Sequence, residues 1–118
     1  MDTQKAIHIY QYSERIKSEL IIAFGLLEKM LTLGGEELKG AEKLMVLYLE
    51  SMVGEIRIAQ NVEKSMNFIG AEKKIMEAIG KLKLFEYQDI NRCISEALSL
   101  ITTSCQAAMT FLIEENLI

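Results

Sequence analysis

Apolar residues recur along this chain at alternating intervals of four and three, and no proline interrupts them in 118 residues. Ile9, Ser13, Ile16, Leu20, Ala23, Leu27 and Met30 form the first such stripe, the spacing of a helix that packs at a shallow angle against other helices. Average usage would place roughly six prolines in a chain of this length, so their absence argues against loop-rich folds and proline-rich linkers. A hydrophobic fraction of 50% with 25% charged residues lies far from the composition of disordered chains, so order is expected nearly end to end.

The first helix is expected over about 3–33, with Asp2 or Thr3 as cap and Gly34-Gly35 as stop. Glu36 and Glu37 suit the N-terminus of a second helix, about 36–64, whose stripe includes Leu38, Ala41, Met45, Leu49, Met52 and Ile56. Gly40 and Gly54 fall inside it at about 1 kcal/mol each relative to alanine, which marks either a close helix approach or a local weakness. The pattern loses phase between Ser65 and Gly70, and a shorter third helix follows over about 67–82. A fourth, about 86–116, carries Tyr87, Ile90, Ile94, Ala97, Ile101 and Ala108 inward and Arg92, Ser99, Thr103, Gln106 and Thr110 outward. The expected fold is therefore all-α: an elongated four-helix up-down-up-down antiparallel bundle with a shorter third helix, forming a single domain over 1–118. Helices of about 28 to 31 residues would be roughly 42 to 46 Å long.

Several function classes are disfavoured. A net charge of -4 suits neither the phosphate backbone of nucleic acid nor its demand for clustered cations. Lys73, Lys74, Lys81 and Lys83 do cluster, but Glu72, Glu77 and Glu86 interleave with them as on a solvated face. The longest apolar run, Leu20 to Leu27, is short of the about 20 residues of a bilayer span, so no membrane span and a cytoplasmic location are expected. Cys93 and Cys105 lie twelve residues and roughly 18 Å apart on one predicted helix, too far to pair with each other. Cys105 reads as a small core residue and Cys93 as one at the edge of the same face.

The sequence lacks the residue patterns of the chemistries that helical bundles commonly carry. A di-iron bundle needs a Glu-x-x-His pair on each of two helices, whereas His8 is the sole histidine and Lys5 and Gln11 stand three residues to either side. A Mg²⁺-dependent helical hydrolase needs an acidic ladder, but Glu36-Glu37 is followed at the required offset by Lys39 and Gly40, and Glu114-Glu115 stands alone. No phosphate loop, Cys-x-x-Cys or His-Glu-x-x-His motif occurs, so the reading leans non-enzymatic, with no cofactor or metal.

More informative are apolar residues that the inward stripes do not use. Tyr10, Ile21, Ile22 and Leu26 lie off the first stripe, Val46, Leu47 and Ile58 off the second, and Leu100 and Phe111 extend one edge of the last. A contiguous apolar patch of this kind marks an interface. The preferred expectation is a helical interaction or scaffold module that self-associates, a homodimer through the first helix, with a different protein partner as the alternative. A second function class is a ligand-binding or catalytic bundle with an internal cavity lined by Met45, Tyr48, Met52, Ser104 and Cys105.

Overall fold

Asp2 caps the first helix, its carboxylate accepting the Lys5 backbone N–H at 2.8 Å. The computed structural model describes all 118 residues. Helix α1 spans Thr3–Met30, α2 Gly35–Val62, α3 Met66–Lys83 and α4 Ile90–Glu114. α1 packs on α2 and α4, α3 packs on the same two helices, and the diagonal pairs do not adjoin. The result is an antiparallel up-down-up-down bundle of 53 × 22 × 18 Å with a short third helix.

Its core is built by the stripes read from the sequence. Ile16, Leu20, Ala23 and Leu27 of α1 meet Leu49, Met52 and Ile56 of α2, Ile75 and Leu82 of α3, and Ile94, Ala97 and Ile101 of α4 in one buried cluster. A second, smaller cluster joins Ala6 to Ala108 and Leu112, with Tyr10 and Phe111 packed against it. α4 is the one helix long and apolar enough, by length and composition, to cross a membrane. In the bundle Ile90, Ile94, Ala97, Ile101, Ala108 and Leu112 of this helix are buried, while Ser99, Thr103, Gln106 and Thr110 are exposed.

The helix ends depart from the sequence pattern where backbone geometry intervenes. α1 stops at Met30, because the Leu31 N–H closes the last turn on the Leu27 carbonyl and Gly35, at φ 58°, turns the chain into α2. The α2–α3 break is set by Glu63 and Ser65, both extended. The Ser65 hydroxyl accepts the Phe68 N–H at 3.4 Å, and the Gln60 amide bonds both backbone groups of Ser65. Gly70 therefore lies inside α3, beneath Leu100. α4 begins at Ile90 and not at Glu86, because Phe85 (φ 59°) and Asp89 (φ 69°) take left-handed conformations that a helix cannot accommodate. Glu86 thus lies in the connecting loop.

Candidate functional site

Polar groups concentrate along the seams between helices, and each follows from a residue one step off an apolar stripe. On the α1–α2 seam, the Arg15 guanidinium lies 3.6 Å from Glu19 and 3.0 Å from Glu55, and the Tyr48 hydroxyl donates to the Glu19 carbonyl at 3.2 Å. Glu55 Oε2 is buried without a hydrogen-bond partner among the charged forms. Burial, followed by the hydrogen bond to Glu55 and the charge of Glu55, pushes the Glu19 carboxyl up to about 7 against the pull of Arg15. Protonated, Glu19 is the donor that Glu55 needs. The same burial and the two carboxylates raise the Tyr48 hydroxyl.

Both thiols of α4 donate to glutamates of neighbouring helices: Cys93 to Glu77 of α3 at 2.8 Å and Cys105 to Glu14 of α1 at 3.2 Å. Burial, reinforced by the Glu77 carboxylate, drives Cys93 up to about 11. Burial also raises Cys105, with Glu14 adding to it. The thiols are held protonated as donors, the opposite of an activated nucleophile. Neither signal was visible in the sequence, since each pair joins residues on different helices.

At the other end of α2, the buried Glu42 carboxylate accepts the hydroxyl of Tyr87 from the α3–α4 loop. Beside it, an open groove of about 710 Å³ runs between the first half of α2 and the end of α3, with Val46, Leu47, Leu82 and Phe85 as its apolar wall. Nowhere do three His, Cys, Asp or Glu side chains converge to hold a metal ion.

The sequence-derived interface residues divide into two sets. Ile21, Ile22 and Leu26 stand 55%, 54% and 48% exposed on α1. Tyr10, Leu100 and Phe111 are instead half-buried in the bundle's own packing: Tyr10 and Phe111 cover the Ala6, Ala108 and Leu112 cluster, and Leu100 lies over Gly70. The five suggested cavity residues are not brought together. Met45, Tyr48 and Met52 lie on α2, whereas Ser104 and Cys105 lie on α4, across the diagonal. Met45 and Met52 are buried among core side chains, and Ser104 sits 3.5 Å from the Ser65 hydroxyl.

Comparison with protein-family models, with curated proteins and with solved structures returns no match to this chain.

Proposed function

We propose that this protein is a non-enzymatic helical-bundle scaffold or interaction module that acts by self-association. The observation that carries this reading is the apolar surface left outside a filled core: Ile21, Ile22 and Leu26 of α1, and Leu44, Leu47 and Ile58 of α2 are all exposed. Covering the exposed half or more of each of these aliphatic side chains would gain about 1–2 kcal/mol apiece, and a symmetric dimer covers the same patch on both copies at once. The two thiols, buried and donating to Glu77 and Glu14, are not activated as nucleophiles, which favours a role in assembly. The net charge of -4 supports a protein partner over nucleic acid.

Absolute mass by light scattering behind a sizing column, over a range of concentrations and with reductant, tests the reading. Twice the chain mass of 13.4 kDa supports it. A monomer at every concentration rejects it.

A further inference from the structure

α2 carries two apolar seams, and only one of them faces its own bundle. Leu49, Met52 and Ile56 point into the core. On the opposite side Gly40, Leu44, Leu47, Ser51, Gly54 and Ile58 follow one another at intervals of four, three, four, three and four, and all are exposed, Leu44 by 70% and Leu47 by 62%. That is the heptad spacing of a helix gripped by another helix, with Leu44 and Leu47 as its central pair.

The glycines leave room for a close approach. Each costs about 1 kcal/mol in a helix interior, yet a Cβ built on Gly40 or on Gly54 meets nothing within 4 Å. Like Gly25, neither is required by a contact inside the bundle, and small residues at this seam would let another backbone approach closely.

The flanking charges identify the occupant. Glu36, Lys43, Glu50 and Arg57 recur every seven residues along the α3 side of this seam, alternating in sign, and all are exposed. We propose that a second copy of this chain packs antiparallel on the outer face of α2, with Leu44 of each copy against Leu47 of the other. In that register Lys43 meets the partner's Glu50 and Arg57 meets the partner's Glu36, each pair occurring twice by symmetry. Sliding by one heptad in either direction sets like charges opposite one another: Lys43 against Lys43 and Glu36 against Glu50 one way, Glu50 against Glu50 and Lys43 against Arg57 the other. A parallel pair would set Glu50 against the partner's Glu55. The antiparallel register alone is charge-complementary throughout, and like-charge juxtaposition is what excludes the others.

The competing contacts within the chain are weak. Glu36 lies 3.7 Å from Lys39 in an exposed pair, Arg57 lies 3.5 Å from a half-buried Glu72, and Lys43 and Glu50 make no ion pair at all. Small residues set the layers beside the leucines, Gly40 facing the partner's Ser51, so the two backbones can close on the central leucine cluster. On the α1 side, the Tyr48 bond to Glu19 fixes the alignment of the two helices. Ile22 and Leu26 of α1 are exposed as well, adding apolar surface to the neighbouring helix.

This inference rests on the self-association reading, and the test separates the two. The full chain and three exposed-site variants, Lys43→Glu, Glu50→Lys and the double exchange K43E/E50K, are compared by sedimentation equilibrium, with circular dichroism to verify helicity. Each single reversal sets like charges together twice and is expected to raise the dimer dissociation constant on the order of tenfold, while the double exchange restores it. A mixture of Gly40→Cys and Ser51→Cys chains is expected to form the mixed disulfide on mild oxidation in preference to either same-residue disulfide. A wild-type dimer indifferent to all three charge variants overturns the α2 seam and leaves self-association standing. Same-residue disulfides as the main product overturn the antiparallel register. A wild-type monomer overturns both proposals.

Discussion

The hydroxyl of Tyr87 donates to the carboxylate of Glu42, tying the left-handed loop before α4 to the first third of α2. Glu42 is 7% exposed, and no cation lies within ion-pair distance of it, so this bond is its principal compensation for leaving water. Tyr87→Phe strands the acceptor and is expected to lower the unfolding free energy by about 1–3 kcal/mol in urea titration. Pairing it with Glu42→Leu removes both polar partners and is expected to recover most of that loss. A double variant no more stable than Tyr87→Phe would show that the bond is not what holds the loop.

The Glu19 carboxyl predicts a pH dependence of unusual sign. Its value in the fold is about 7 against 4.5 in the unfolded chain, so the native state binds the extra proton between those limits. Its contribution to stability is present in full below pH 4.5 and is lost as pH rises through 7. Melting temperature is therefore expected to fall between pH 5 and 8, by an amount corresponding to about 2 kcal/mol. Glu19→Gln supplies a permanent neutral donor to Glu55 and is expected to flatten the profile and raise stability at pH 8. An unchanged slope in that variant would place the titrating group elsewhere.

The periodicity of the apolar residues was sufficient to reveal helix number, order and core, because burial in a bundle repeats every three or four residues and leaves a regular trace. It was not sufficient at Phe85 and Asp89, where a left-handed backbone is imposed on residues with no strong preference for it. Nor could it tell spare apolar residues from those covering a helix end: Ile22 and Phe111 look alike in sequence, yet one is exposed and the other packs on Ala108 and Leu112. Cross-helix polar pairs such as Cys93 with Glu77 depend on the relative alignment of helices, which no single-helix pattern encodes. The suggested cavity drew on α2 and α4, which stand diagonally, and no single-helix pattern encodes which levels of two such helices coincide.

The thiols provide a kinetic prediction. Cys93 and Cys105 are buried, hydrogen-bonded to Glu77 and Glu14, and raised above the ordinary thiol range. In native protein at pH 8 both are expected to react with a maleimide orders of magnitude more slowly than in urea, at rates that track unfolding. Rapid modification of either one without loss of helicity would mean that its seam opens locally.

Gly25 and Gly70 both lie inside helices, but the space around them differs. A Cβ on Gly25 meets nothing within 4 Å, whereas one on Gly70 comes within 3.0 Å of Leu100 Cδ1. Gly25→Ala gains helix propensity without a steric cost and is expected to raise stability by about 0.5–1 kcal/mol. Gly70→Ala gains the same propensity but must displace Leu100, a half-buried side chain packed against the core. The expected outcome is a Gly70→Ala stability at least about 1 kcal/mol below that of Gly25→Ala, with overpacking setting the difference. Leu100→Ala in the Gly70→Ala background relieves the contact, so the two substitutions together are expected to cost less than the sum of their separate effects. Strict additivity in that cycle would show that Leu100 moves aside freely and that the glycine is not needed for α3 and α4 to pack.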